Sequence, residues 1–288
     1  MGRRARESGE DRENGTTPIH VKWESLDGRR VRVWAVLPGR ADAWPDAEAR
    51  PPLLLLHGLS CSVRVWKPAL LEMARRGPER PVYAVDMPGF GRSGGPRRVP
   101  SVARLADWVA RLLDLLGVER AHVAGNSLGC QVALALARRH PGRAASLILA
   151  GPTPGGDLMT LGQMARGLAR DAVMEPALFD GTIARMYLEA GPRRFANGIA
   201  RMRADHPVRD AGAVRAPWLI LRGDRDSVVP ESAARALADA LASSHPEESE
   251  YRTVAGSPHA VQYAAPEAFT DLALGFLRRV ETSAAAGG

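Results

Sequence analysis

Residues 125–129 read Gly-Asn-Ser-Leu-Gly, and they put Ser127 where a nucleophile would stand. The run before it, 120–124, reads as a short buried strand; the run after it, 130–139, reads as a helix. A G-x-S-x-G between a strand and a helix has the form of a nucleophile elbow. The glycines have a steric reason. A serine on so sharp a turn holds a strained backbone, and side chains two residues to either side would collide with it. The helix that follows points its unpaired N–H groups at the turn, where they favour developing negative charge.

The elements around that turn follow from hydrophobic patterning. Residues 19–37 alternate apolar and polar side chains about Asp27-Gly28, the pattern of two paired strands and a turn. Residues 52–56, Pro-Leu-Leu-Leu-Leu, form a continuous apolar run that ends at His57-Gly58, as expected of a strand covered on both faces. Residues 82–85 make a second such strand, ending at an Asp86-x-Pro-Gly-x-Gly-x-Ser93 stretch. Between them, 66–76 is a helix. Val102, Leu105, Val109, Leu112, Leu113 and Leu116 form an apolar stripe at helical spacing, stopped by Gly117. Further strands are expected at 145–150, 218–221 and 250–254, with helices at 232–241 and 266–280. Alternating strands and helices imply an α/β fold, a mostly parallel β-sheet covered by helices on both faces. Such sheets carry ligands at the carboxyl ends of their strands, where His57-Gly58, Asp86, Ser127 and Gly223 fall.

One segment breaks the alternation. Residues 152–213 contain no convincing strand and read as helices broken at Gly155-Gly156, Gly181, Gly191-Pro192 and His206-Pro207. Five of the eight methionines are here, Met159, Met164, Met174, Met186 and Met202, with Leu161, Phe179, Tyr187 and Phe195 adding bulk. A helical cap of this kind forms one wall of a pocket. The organisation expected is therefore a disordered tail at 1–17, a core of 18–151 and 214–282, a cap at 152–213, and a second disordered tail at 283–288.

Composition narrows the function classes. With 45% apolar and 25% charged residues, the chain of 288 residues has the balance of an ordinary globular protein. Its net charge of +7 comes almost wholly from arginine, Lys22 and Lys67 being the lysines. The arginines are scattered among acids rather than clustered beside aromatics, so no nucleic-acid partner is expected. No run of about 18 apolar residues is present to span a bilayer, and residues 1–15 resemble neither a secretion signal nor an anchor. A cytoplasmic location without membrane attachment follows as the expectation. Cys61 and Cys130 have no disulfide or metal-ligand spacing and read as small buried thiols.

Taken together, these pieces resemble the α/β-hydrolase fold superfamily, in its serine-nucleophile branch with a helical cap. The resemblance spans residues 18–280 and rests on four motifs: His57-Gly58 after a strand, the Asp86 stretch, the elbow, and Gly223-x-x-Asp226 with a histidine downstream. Their order is the order that fold uses for serine, acid and histidine. The resemblance implies Ser127 as nucleophile. His245 and His259 follow the acid segment; His245 lies in a polar run, and His259 matches the family position. Asp226 and Asp224 compete as the acid, with the G-x-x-D match favouring Asp226 and leaving Asp224 to hold the loop. The oxyanion donors implied are the backbone N–H groups of Leu128 and Leu59, with Ser60 behind Leu59. His57 is expected to hydrogen-bond locally, and Asp86 to shape the loop after its strand. Arg166, Arg170, Arg185, Arg193, Arg194, Arg201 and Arg203 in the cap can be read as carboxylate grips or as solvent-facing charges.

The sequence departs from the family pattern in three places. Cys130 stands where a second glycine often follows the elbow, Pro258 precedes the histidine, and Ala264 occupies a position that is often acidic. Serine at the elbow argues against the halide- and epoxide-cleaving branches, which place aspartate there. The reaction implied is cofactor-independent hydrolysis of a carboxylic ester or thioester of a mainly apolar small molecule, with no metal. Carbon–carbon hydrolysis of a dienone-type compound is the alternative suggested by Asn126, although the tryptophan those relatives carry after the histidine is absent from Ala260 to Tyr263. Acyl transfer, or ligand binding without turnover, also remains open. The cap methionines suit an adaptable apolar pocket or simple packing on the core.

Overall fold

Asp27 and Gly28 both take positive φ, 52° and 70°, the pair of left-handed residues that a two-residue hairpin turn requires. They join β1 (His20–Leu26) to β2 (Arg29–Val36). In this computed structural model the described residues are 18–38, 50–156, 160, 162–163, 166–167, 169–170, 181–242 and 248–286. The expected tail at 1–17, His245, Met159, Met164, Met174, Leu161 and Phe179 lie outside them.

Six further strands follow: β3 (Leu53–Leu56), β4 (Val82–Val85), β5 (Ala121–Asn126), β6 (Ala144–Ala150), β7 (Trp218–Gly223) and β8 (Glu250–Val254). The eight strands form one sheet in the order β1-β2-β4-β3-β5-β6-β7-β8. β2 pairs antiparallel with both β1 and β4, and every other pairing is parallel. The sheet is thus mostly parallel, as the alternating pattern predicts. The strand order reverses across β3, so a crevice opens beyond the carboxyl ends of β3 and β5.

Helices α1 (Lys67–Arg75), α2 (Val102–Leu115) and α3 (Leu128–Arg139) come from the first half of the chain. In the second half are α4 (Thr182–Ala190), α5 (Pro192–Arg203), α6 (Pro207–Asp210), α7 (Glu231–Ala242), α8 (Val261–Ala264) and α9 (Pro266–Ala286). The apolar stripes of α2, α3 and α7 fill one face of the sheet, through residues such as Leu105, Val109, Leu136 and Leu237. Those of α1 and α9 fill the other through Leu70, Met73, Phe269 and Phe276. β3 has its four leucines fully buried between these layers, which is why it reads as an unbroken apolar run. No helix among the described residues is long and apolar enough to cross a membrane.

Two local features differ from the sequence reading. The closing helix runs to Ala286, so the tail expected to be disordered from 283 is helical as far as it is described. Ser283 to Ala286 is alanine-rich, and alanine has the highest intrinsic helix propensity. The short helices α6 and α8 also carry too few residues for a periodic signal.

A polar network locks that closing helix to the amino ends of the central strands. His122 on β5 lies with Nδ1 2.7 Å from the Ser146 hydroxyl and Nε2 3.3 Å from Glu281 of α9. Arg80 donates to the same carboxylate at 2.9 Å. A carboxylate only accepts, so the neutral ring donates Nε2–H to Glu281 and accepts the Ser146 proton on Nδ1. Burial, reinforced by the Arg80 charge, pushes the His122 imidazole down to about 4 from 6.5. The unfolded chain therefore takes up this proton first as the solution is acidified. Stability that is complete above pH 6.5 drains away as the pH falls toward about 4, by a total on the order of 3 kcal/mol. Urea unfolding midpoints measured across that window should drop more steeply in the parent than in His122→Gln. Parallel profiles would show that His122 does not carry the loss.

Candidate active site

Ser127 closes β5 and precedes α3 with φ 55° and ψ −113°, a conformation that costs a non-glycine residue about 1–3 kcal/mol. Close backbone approaches enforce it. A Cβ on Gly129 would lie 2.2 Å from the Leu56 carbonyl oxygen, and one on Gly125 would lie 2.4 Å from Gly129. Only glycine lets the head of α3 approach β3 and the end of β5 so closely. On the other side the Ala150 carbonyl, last in β6, draws three donors. It accepts from the Ser127 N–H at 3.1 Å, the Asn126 amide at 3.1 Å and the Cys130 thiol at 3.4 Å. Asn126 is thereby committed to holding the turn. Cys130 also donates to Gly125 O at 3.2 Å, and burial pushes its pKa upward. In place of a second glycine it is a protonated, inert thiol.

The acid and histidine come from the ends of β7 and β8. Asp226 Oδ2 accepts from His259 Nδ1 at 2.9 Å, and Asp226 Oδ1 accepts from the N–H groups of Val228 and Val229, each at 2.8 Å. Three donors converge on the two oxygens of this buried carboxylate, which fixes its plane and that of the imidazole. Asp224 is exposed, with its N–H on the Val254 carbonyl at 3.1 Å. Sequence reading missed two supports. Arg222 is buried and donates to the carbonyls of Val229 and Asp226, both at 3.0 Å, bracing the acid loop from below. Gly151, at φ 57°, stands where a Cβ would lie 2.8 Å from His259 Nδ1. Its signal was a glycine directly after the carboxyl end of a strand.

The loop after β3 lies against the elbow from the opposite side. A Cβ on Gly58 would be 3.3 Å from Ser127 Cβ and 3.1 Å from Asn126 Oδ1. Leu59 follows, buried, and Ser60 takes φ 57°. His57 Nε2 accepts from the Met87 N–H at 3.0 Å while Nδ1 bonds Gly58 O at 2.8 Å. Both ring nitrogens are thus spent on backbone, and burial lowers its pKa. Asp86 secures the same loop: Oδ1 accepts from Val63 N, and Oδ2 from Arg92 N and Arg32 Nε, all at 2.8 Å. The amide of Leu128 is the first of α3, a donor with no intrahelical carbonyl to meet.

The cap closes over this ground. Gly198 of α5 sits where a Cβ would be 2.1 Å from Leu59 Cδ1. The Gln131 amide, one turn beyond Leu128, donates to the carbonyls of Thr153 and Met202 at 3.4 and 3.3 Å. Met186 and Met202 are buried in the core layers, and Met186 sulfur receives the Ser62 hydroxyl at 3.1 Å. Of the cap arginines, Arg166, Arg170, Arg185 and Arg193 are exposed, while Arg194, Arg201 and Arg203 are partly buried. Among the described residues no group of three or more His, Cys, Asp or Glu side chains is placed to hold a metal ion.

This fold and these motifs belong together. Residues 51–213 match the model of the alpha/beta hydrolase fold family, and the chain belongs to that family. It is 30% identical over 295 residues to the dihydrolipoyllysine-residue acetyltransferase component of the acetoin cleaving system of Pseudomonas putida, covering 95% of this chain and 72% of that one. It is also 30% identical over 229 residues to 2-hydroxymuconate semialdehyde hydrolase of Pseudomonas sp. (strain CF600), covering 68% of this chain and 78% of that one. Monoacylglycerol lipase of Mycolicibacterium smegmatis is 28% identical over 228 residues, with 70% and 80% covered.

The strain at Ser127 makes a stability prediction. Ser127→Ala keeps a Cβ in the forbidden region, while Ser127→Gly releases it at the cost of extra chain entropy in the unfolded state. Ser127→Gly should unfold at higher denaturant than Ser127→Ala, by about 1 kcal/mol. Equal midpoints would mean that the turn holds no strain.

Proposed function

We propose that this chain is a cofactor-independent serine hydrolase that cleaves a carboxylic ester or thioester of a mainly apolar small molecule through an acyl-enzyme on Ser127. The observation that carries this reading is the 2.9 Å bond from His259 Nδ1 to Asp226, at the same carboxyl end of the parallel strands as the strained serine. With Nδ1–H held by the carboxylate, His259 presents Nε2 as the basic nitrogen.

The chemistry follows from those roles. Ser127 Oγ bonds to the carbonyl carbon as its proton passes to His259 Nε2, and Asp226 stabilises the imidazolium. The Leu128 and Leu59 amides bind the oxyanion; loss of one such donor typically costs ~10²–10³ in rate. The intermediate collapses by breaking the bond to the alcohol or thiol, which takes the proton from His259. Water then repeats the sequence on the acyl-enzyme and releases the acid. The buried contacts of Met186 and Met202 line the cap–core junction with apolar, adaptable groups, in keeping with an apolar substrate.

A second reading is carbon–carbon hydrolysis, favoured by the 30% identity to 2-hydroxymuconate semialdehyde hydrolase. Asn126 is not a reason to prefer it, because its amide is engaged with Ala150 O at the turn.

The deciding measurement is hydrolysis of p-nitrophenyl esters of rising acyl length, with Ser127→Ala beside the parent. Turnover should fall in the variant by a factor on the order of 10⁴–10⁶, and medium chains should outperform acetyl. Turnover retained by the variant would remove Ser127 from the chemistry. A folded parent inactive on every ester would overturn ester hydrolysis in favour of carbon–carbon cleavage, acyl transfer or ligand binding without turnover.

A further inference from the structure

A cleft of about 750 Å³ opens at the seam between the cap and the core, away from the triad loops. Its walls are the β1–β2 hairpin, the 88–101 stretch after β4, the first turns of α2, and Arg201 of α5. Its charge is one-sided. Five arginines line it, Arg29, Arg98, Arg104, Arg111 and Arg201, against Asp27 and Asp107.

Both acids are already taken. Asp27 accepts from Arg111 at 2.9 Å. Asp107 accepts from both ends of the Arg139 guanidinium at 2.9 Å and from His140 at 2.8 Å, and the Arg139 pairing holds its carboxyl below the usual range. Among the described residues, Arg29 reaches only a backbone carbonyl, that of Gly95 at 3.2 Å. Arg98, Arg104 and Arg201 form no ion pair with an acid among the described residues. Among the described residues, four cations therefore face one space without a carboxylate to balance them.

The cap side adds buried donors. Arg201 Nε, on the cleft wall, is shielded from solvent and has no hydrogen-bond partner among the described residues; nor has Arg194 Nη1, which sits against Gly89 outside the cleft lining. The two residues lie seven apart on α5, two turns along one face. Arg194 Nη2 donates to Pro96 O at 3.0 Å, beside the cleft. A buried guanidinium donor left unmet costs about 1–3 kcal/mol. The amino end of α2, capped by Ser101, opens on the same rim and adds its partial positive charge.

We propose that this seam is a binding site for a diphosphate-bearing anion. Guanidinium forks match phosphate oxygens two at a time, and four of them exceed what a single carboxylate can engage. The volume suits more than one phosphoryl group. Val31, Val99 and Trp108 supply an apolar floor on which an organic group attached to the diphosphate can rest. The site uses none of the residues assigned to hydrolysis, so it stands or falls independently of the reaction at Ser127.

The test is calorimetric titration of the full chain with pyrophosphate and, separately, with ADP. The Arg98→Gln/Arg104→Gln double variant and the Arg201→Gln single variant are titrated in parallel. Arg98 and Arg104 are exposed, so the double variant should keep the parent melting temperature and remains informative if Arg201→Gln misfolds. Saturable one-to-one binding tighter than about 1 mM is expected, weakened about tenfold or more in the double variant and weakened further by added salt. Tighter binding of ADP than of pyrophosphate identifies an organic diphosphate resting on the apolar floor; equal binding identifies the diphosphate group alone as the ligand. Absence of saturable binding of both probes, or affinity unchanged in the double variant, would overturn the proposal.

Discussion

The geometry around Ser127 depends on one close approach: the head of α3 meets β3 where a Cβ on Gly129 would lie 2.2 Å from the Leu56 carbonyl. That contact sets where the positive end of α3 sits relative to the carboxyl end of the sheet. It also leaves the chain no unstrained route from β5 into α3, so the intervening residue is driven to φ 55°. Strain of this size persists only where the surroundings overdetermine it. Here they do, since the Ala150 carbonyl gathers the amide and side chains of residues 126, 127 and 130. The thiol of Cys130 takes part in the same clamp, which accounts for a cysteine where the family often has glycine.

The opposite wall rests on a buried carboxylate. Asp86 joins β2 through Arg32, the 63–66 turn through Val63 and its own loop through Arg92. Gly91 is required beside it, because a Cβ there would meet the carboxylate at 2.2 Å. An ion pair this buried contributes little net stability, while loss of one partner strands the other and typically costs about 3–5 kcal/mol. What the pair supplies is position. With His57 bonded to Met87 and Gly58, it holds the 57–62 loop beside the elbow without placing a titratable group in the way.

The parts of this arrangement legible in the sequence are those with a local cause. β3 and β4 are short apolar runs, the α2 stripe is periodic, and the Asp27-Gly28 turn needs left-handed residues. The elbow was legible because Gly125 answers a steric demand from Gly129 itself, although Gly129 in turn answers to Leu56 on another strand. The supports of the acid and histidine were not. Arg222 looks like any charged residue at a strand end, and its bonds to Val229 and Asp226 exist only once the loop folds back. Gly151 meets His259 across more than a hundred residues of chain, a contact no local pattern encodes. The extension of α9 to Ala286 was missed because small residues at a terminus read as a tail, although they are good helix formers.

The cap is tied to the 57–62 loop as well as to the core. Gly198 of α5 lies directly over Leu59 Cδ1, so a larger residue there would press on the Leu59 side chain. Gln131 meanwhile carries its amide from α3 to the last turn of α5 and to the start of the cap. The two contacts bracket the turn at Ser127 from opposite sides. A displacement of α5 must therefore disturb the 57–62 loop, the head of α3, or both. Under the proposed reaction, α5 would bear on both segments that carry the oxyanion donors, and a contact on α5 would be felt at the carbonyl as geometry. On the cap side that link is made by backbone, at Gly198 and at the Met202 and Thr153 carbonyls, which explains why no polar side chain of the cap is needed to make it.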